Sequence, residues 1–155
     1  MNHLQTIIFA VAFLAENLFA ATSVKVYSFD EAFDKINISK PRIYIENTGT
    51  TTLTDFVYYY YFTSEETKTP VPEYYYTPAS EVSFEQVGID LYRLKYRVTG
   101  VSLAPGQIHP DPAGNVVGLH YNDWGTWDKT NDYSNSQTAT FIENQKIPLY
   151  VNGIL

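Results

Sequence analysis

Both tryptophans of the chain, Trp124 and Trp127, lie in the polar segment HYNDWGTWDKTNDYSNS, which spans residues 120–136. Indole rings favour at least partial burial, and we expect Trp127 to pack over the loop. Trp124 directly follows Asn122 and Asp123. An exposed ring beside side chains that form hydrogen bonds offers a flat apolar surface with a polar border. This combination is typical of a binding surface.

The same segment carries oxygen donors of the kind that hard cations prefer. Asp128, Asn131 and Asp132 supply three such side chains within five residues. Calcium takes six to eight oxygens from carboxylates, amides and carbonyls. However, Asp and Asn also cap backbone amides in solvated turns. Spacing alone favours the turn, and calcium is the alternative.

The composition indicates one domain and excludes several functions. A chain of 155 residues with 45% hydrophobic residues can form one core and is short for two. Its net charge of −7 leaves it without the basic patch that neutralises phosphates, so nucleic acid is not an expected partner. Because cysteine is absent, thiol catalysis and cysteine metal sites are excluded. Stability must therefore come from the core, with a bound metal as a further source.

An apolar run near the N-terminus indicates export. Residues 6–15, TIIFAVAFLA, match the length of a signal-peptide core and fall well short of the roughly 20 residues that a spanning helix needs. Small residues follow, with a cleavage point after Ala20 or Ala21. We expect a signal peptide over 1–21 and a secreted, extracellular domain over 22–155, with no membrane span. The alternative is a buried N-terminal helix, because no Lys or Arg precedes the run.

From Val24 onward the sequence is typical of β-strands. In RIYIE, Ile43 and Ile45 alternate with polar or amphipathic residues, which is the period of two for a sheet with one buried face. Turn residues separate the runs, as in NTGT, APGQ and PDPAGN. Seven or eight short strands at this spacing predict an all-β sandwich. The predicted strand segments are VKVYSF, RIYIENTG, LTDFVYYYYFT, SEVSFEQVG, LYRLKYRV, GNVVGLHY and KIPLYVNG.

Several motifs follow one another in a fixed order: IYIENTGTTTLTDFVYYYYFT, VSLAPGQ, YNDWGTWDKTNDYS and LYVNGIL. This order resembles the family 3 carbohydrate-binding modules, the cellulose-binding domains of cellulases and cellulosome scaffolds. The resemblance covers residues 24–155. It implies a nine-stranded antiparallel β-sandwich with jelly-roll topology, a structural calcium ion and no enzymatic activity.

The resemblance also implies a flat polysaccharide-binding face, of which Trp124 is the clearest matching residue. Members that bind crystalline cellulose align several residues in one strip, but the position of the strip Arg is Gly118 here. Tyr75 and Tyr76 stand where Asp and His are expected, in a Pro-flanked segment interpreted as a loop. Either Tyr74, Tyr75 and Tyr76 rebuild an aromatic platform beside Trp124, or tight binding to crystalline surfaces has been lost.

For calcium, the resemblance adds two ligands from the segment after the tyrosine-rich strand. Thr63 and Glu65 are the matching positions, and Glu65 replaces the usual Asp. Together with Asp128, Asn131 and Asp132 they complete the implied site. With the family resemblance included, a calcium site is favoured over a solvated turn.

The expected ligand is cellulose or a related β-1,4-glucan, contacted by Trp124, Tyr74, Tyr75 and Tyr76 together with Asn122 and Asp123. Further domains of a longer polypeptide or complex are possible partners. The main alternative is a structural or protein-interaction sandwich of a cell-surface or scaffold protein. A glycosidase pair formed by Asp123 and Asp128 is disfavoured, because a small sandwich offers no deep cleft.

Overall fold

The computed structural model describes residues 23–65, 68–75, 81–114 and 116–155, all of which are strand, turn or irregular structure without a helix. In this part of the chain there is accordingly no apolar helix that could cross a membrane. The predicted signal peptide falls in residues 1–22, outside the described residues, as does Tyr76. The strands are β1 (Val24–Asp30), β2 (Pro41–Asn47), β3 (Phe56–Thr63), β4 (Pro70–Tyr75), β5 (Val82–Gln86), β6 (Leu91–Val98), β7 (Ile108–His109), β8 (Val116–Tyr121), β9 (Ile142–Glu143) and β10 (Leu149–Val151).

The strands form two antiparallel sheets, which confirms the predicted sandwich. The first sheet has the order β4-β8-β2-β1-β9, with β7 paired to β2, and the second has the order β10-β3-β6-β5. The described residues contain ten strands where nine were expected, and β7 and β9 have only two residues each.

Alternation along the strands builds the core between the sheets. In β3, Tyr58 and Tyr60 are 1% exposed, whereas Tyr59 and Tyr61 are half-buried on the outer face. β2 likewise buries Ile45 completely. The period of two therefore decides which tyrosines stabilise the core and which remain available at the surface.

The loop interpretation of the segment before Tyr76 is wrong. Residues Pro70–Tyr75 form β4, which pairs with β8 in the register Glu73↔Gly118 and Tyr75↔Val116. Proline cannot donate a backbone hydrogen bond and is tolerated mainly in edge strands. β4 is the edge of its sheet, so its two prolines do not interrupt the pairing.

The pairing of β4 with β8 gives the first sheet a distinct outer face. On β8, Leu119 and Tyr121 belong to the core, and the alternate residues Gly118 and His120 face outward. On β4, Tyr74 packs against the core. Its neighbours Glu73 and Tyr75 therefore lie on the outer face.

Candidate functional site

Trp124 is presented by a tight turn that follows β8. Its backbone N–H donates to the carbonyl of Tyr121 at 2.9 Å, and the Asp123 carboxylate accepts from the Gly125 N–H at 2.9 Å. Asn and Asp favour such turns because their side chains bond nearby backbone groups. Trp124 itself has φ = 51°, a left-handed conformation that costs a residue with a Cβ about 1–2 kcal/mol. The turn maintains this conformation and keeps the indole at the surface, where Trp124 is 47% exposed.

The indole lies flat on the imidazole of His120. The two ring centroids are 3.8 Å apart and the planes differ by 7°. His120 is only 5% exposed, and its Nδ1–H donates to the carbonyl of Tyr121 at 2.7 Å, since a carbonyl can only accept. One face of the indole is therefore covered by a fixed ring. The exposure of Trp124 comes from the opposite face and the edges.

Glu73 joins the His120 ring to the aromatic ring of Tyr75. Its carboxylate oxygen lies 3.3 Å from His120 Nε2, and it accepts a hydrogen bond from the Tyr75 hydroxyl. That hydrogen bond lowers the pKa of Glu73, with a smaller contribution from the charge of His120, and it raises the pKa of Tyr75. The Lys40 ammonium lies 4.4 Å from the centroid of the Tyr75 ring, a cation–π contact.

A shallow hollow of about 320 Å³ lies at the end of β8, lined in part by Asn122, Asp123 and Lys68. Asp123 Oδ2 is 3.2 Å from Lys68 Nζ. The hydrogen bond from the Gly125 N–H, followed by that from Lys68, lowers the pKa of Asp123. Charged and amide groups that can bond hydroxyls therefore border the exposed indole.

The structure brings only part of the predicted tyrosine triplet to this face. Tyr75 shares the outer face with His120, on which Trp124 rests. Tyr74 lies on the inner face, packed against the core, because successive side chains of a strand point in opposite directions. Tyr76 lies outside the described residues.

Trp127 has a different role from Trp124 and is 2% exposed, so it is packed as expected and does not face solvent. Its ring stacks on Tyr121 with a centroid distance of 4.8 Å, and its Nε1–H donates to Asp132 Oδ2 at 2.9 Å. The polar loop therefore contributes one indole to the core and one to the surface.

Four of the five predicted calcium ligands lie close together near the ends of β3 and β8. Asp132 Oδ1 accepts from the Thr63 N–H at 2.9 Å, and the Thr63 hydroxyl is 3.4 Å from the Asn131 carbonyl oxygen. The Asn131 amide lies 3.0 Å from Glu65 Oε1. Burial raises the pKa of Asp132 to about 7, and the charge of Glu65 adds to this effect. The Glu65 and Asp132 carboxylates therefore lie near the Thr63 hydroxyl and Asn131, linked by hydrogen bonds from the Asn131 side-chain N–H and the Thr63 N–H.

The fifth predicted ligand, Asp128, is engaged in its own turn. Its Oδ1 accepts hydrogen bonds from the backbone and the hydroxyl of Thr130, which lower its pKa. It lines the same hollow of about 260 Å³ as Glu65. Among the described residues, His, Cys, Asp and Glu side chains nowhere form a group of three that could hold a metal. Calcium here would depend on Thr and Asn oxygens in addition to carboxylates, as calcium sites commonly do.

Sequence reasoning missed Glu73 and Lys40 at this face. The signal was present, because alternation in PVPEYY would place Glu73 and Tyr75 on the same side once that segment was recognised as a strand. The proximity of Glu73 to His120 could not be inferred, since it depends on the pairing of two strands that are distant in sequence.

A small β-sandwich with an exposed, rigidly backed aromatic ring and a polar border has the features of a noncatalytic binding module. Comparison with known proteins identifies which kind. A family model described as "Cellulose binding domain" (CBM_3) matches residues 24–155. The chain belongs to family 3 of the carbohydrate-binding modules, and as a member it is a binding domain and not an enzyme.

Solved structures agree with this assignment. The module CBM3b from the cellulosomal cellobiohydrolase 9A of Clostridium thermocellum is 30% identical, with 84% of this chain and 92% of that chain covered and a TM-score of 0.63. Biomass sensing modules from putative RsgI-like proteins of the same organism are 25% identical, with 86% and 95% covered and a TM-score of 0.65. The family 3a module from the cipA scaffolding of Clostridium thermocellum is 22% identical, with 85% and 97% covered and a TM-score of 0.60, and supports the fold. No curated protein matches the chain.

Proposed function

We propose that the outer face of β4 and β8 binds cellulose or a related β-1,4-glucan, with Trp124 as the principal contact. The observation that carries this proposal is the half-exposed indole, held in a left-handed backbone conformation and stacked on the buried His120 ring. Strained residues cluster at functional sites, where the surrounding structure maintains them. A ring fixed in this way is preorganised for a ligand and loses little freedom on binding.

The chemistry of the face suits a pyranose ring. The apolar C–H surface of a sugar stacks on an indole, while its hydroxyls need donors and acceptors at the border. Asp123, Asn122 and Lys68 supply such groups on one side of Trp124. Glu73 and Tyr75 supply them on another. The origin of one related module in a cellulosomal cellobiohydrolase also supports a cellulosic ligand.

We also propose a structural calcium ion held by Thr63, Glu65, Asn131 and Asp132, with Asp128 nearby. The donor set supports this, because it combines two carboxylates with an amide and a hydroxyl side chain. Asp132 is a buried carboxylate, and the charge of the nearby Glu65 adds to the desolvation that raises its pKa, so both carboxylates would gain compensation from a cation. A divalent cation beside Asp132 would supply that compensation.

An extracellular location follows from the proposed ligand, and residues 1–21 would serve as the signal peptide. The domain would then act outside the cell, alone or joined to catalytic or scaffold domains. Because some related modules are described as biomass sensing, a signalling role with the same ligand is compatible with the same face.

A second candidate function is protein interaction on the same fold. It is favoured by one observation: Tyr74 turns into the core, so this face presents fewer rings than the tyrosine triplet predicts. In that case Trp124 would contact a protein surface instead of a sugar.

The test is a depletion assay of the folded domain on microcrystalline cellulose, acid-swollen cellulose and chitin, with Trp124→Ala alongside. We expect retention on cellulose and a loss of at least tenfold in affinity in the variant, because stacking burial of an aromatic ring is worth about 1.5–3 kcal/mol. Trp124→Phe is the matched control and should retain part of the affinity. Failure of the parent protein to bind any of the three would contradict the proposal and favour the protein-interaction function.

A further inference from the structure

Gly118 occupies the interior of β8, where glycine is about 0.5–1 kcal/mol less favourable than alanine. A glycine inside a strand often marks a place where another group approaches the backbone closely. Here that group is the ring of Tyr75. A Cβ at position 118 would lie 2.9 Å from Tyr75 Cε2 and 3.3 Å from Ile38 Cδ1. The first distance is closer than real Cβ atoms come, so the Tyr75 ring depends on the absence of a side chain at 118.

The two aromatic rings of the face consequently lie over successive outward positions of one strand. The Trp124 ring lies on His120, and the Tyr75 ring lies against Gly118. These positions are two residues apart, which corresponds to about 7 Å along a strand. The two rings are thus close enough for one extended glycan chain to contact both.

Neighbouring charged groups fix the Tyr75 ring in this place. Its hydroxyl donates to Glu73, which is paired with Gly118 across the strands and also lies 3.3 Å from His120 Nε2. The Lys40 ammonium lies over the ring at 4.4 Å. The ring is therefore held by the sheet, a carboxylate and a cation.

We propose that Gly118 is a positioning residue, because its bare backbone seats Tyr75 as a second stacking ring beside Trp124. The ligand is then a single β-1,4-glucan chain that runs along β8, with neighbouring sugars over the two rings and Glu73 as a hydrogen-bond acceptor between them. This inference rests on the proposed glucan binding. It differs from that proposal by assigning a role to a residue that does not touch the sugar.

The test is a double-mutant cycle of Gly118→Ala and Tyr75→Ala, measured as affinity for acid-swollen cellulose. Gly118→Ala should fold, since the atom in its way belongs to a side chain that can swing outward, and its melting temperature should equal or exceed that of the parent. We expect each single variant to weaken binding by roughly tenfold, the contribution of one buried ring. The double variant should be no weaker than Tyr75→Ala, because Gly118 acts through that ring.

Two control variants distinguish a displaced Tyr75 ring from a general loss of structure. Gly114→Ala is a matched substitution whose Cβ would make an ordinary contact 3.4 Å from the Asp111 carbonyl oxygen, and it should leave affinity unchanged. Tyr75→Phe retains the ring and should keep most of the affinity.

The outcomes distinguish this inference from the proposed function. The seating role is overturned if Gly118→Ala binds glucan as tightly as the parent. It is also overturned if Gly118→Ala weakens binding equally in the parent and in the Tyr75→Ala background. Glucan binding by the parent would stand in both cases. If the parent binds no glucan at all, the proposed function and this inference both fail.

Discussion

Trp124 combines an unfavourable backbone conformation with an exposed apolar ring. Both features oppose stability, yet the indole is stacked on His120 and fixed by the turn that precedes it. Residues under such strain often trade stability for function. The strain and the contribution of the ring can be separated by two substitutions at this position.

Trp124→Gly should be more stable than Trp124→Ala by about 1 kcal/mol, although both lose the indole. Glycine adopts φ = 51° without the Cβ penalty that alanine retains. Denaturant unfolding of the two variants measures the difference. Thr126 is the control, because it is not among the described residues with positive φ. At that position Thr126→Ala should be more stable than Thr126→Gly. Equal stability of the two Trp124 variants would show that the backbone is unstrained.

At the scale of the element, sequence periodicity predicts the strands whose two faces differ in polarity. Ile43 and Ile45 are buried as expected, and β6 places its charged side chains outward and Leu94 in the core. β4 was missed because Pro70 and Pro72 resemble loop residues. Whether proline interrupts a sheet depends on the strand's position in it, and that position is set by tertiary pairing.

The candidate site could be predicted from the sequence only in part, because some of its contacts depend on tertiary strand pairing. The segment around Trp124 carries its own signal, since its turn and polar residues are local in sequence. The contacts of Glu73 with His120 and of Tyr75 with Gly118 arise from the register of β4 against β8. No local pattern encodes that register.

The outer face of the second sheet yields a prediction about acid sensitivity. Glu85 on β5 faces Arg93 on β6, and the Arg93 Nε donates to its carboxylate at 2.7 Å. This hydrogen bond lowers the pKa of Glu85 below its usual value of 4.5. The carboxylate therefore contributes stability above about pH 4.5, which is lost as the pH falls through the lowered pKa.

Glu85→Gln should accordingly be less stable than the parent near neutral pH, by less than about 1 kcal/mol for an ion pair on the sheet surface. The difference should shrink towards about pH 3, where the parental carboxylate also becomes neutral. Thermal unfolding at both pH values measures this convergence. A difference that stays constant with pH would assign the effect of the substitution to packing.

For the molecule as a whole, the proposed calcium ion would connect the two sheets. Thr63 ends β3 of the second sheet, and Asp132 belongs to the loop that leaves β8 of the first. An ion bound only in the folded state stabilises it by about 2.7 kcal/mol at a hundred times its Kd.

Removal of calcium with a chelator should therefore lower the melting temperature by several degrees, and added calcium should restore it. Asn131→Ala should abolish the response, whereas Asn122→Ala, outside the oxygen cluster, should preserve it. Identical melting of fully stripped and calcium-loaded protein would contradict the metal site and leave a turn held by hydrogen bonds alone.

The loop that carries Trp124 is attached to the opposite sheet as well as to its own. Ser134 exchanges backbone and side-chain hydrogen bonds with Tyr61 of β3 at 2.9–3.0 Å. The position of the segment that follows Trp124 is thus set partly by the second sheet. In a Trp127→Phe background, where Trp124 is the remaining indole, its fluorescence emission should consequently change when a core substitution alters the packing of the two sheets.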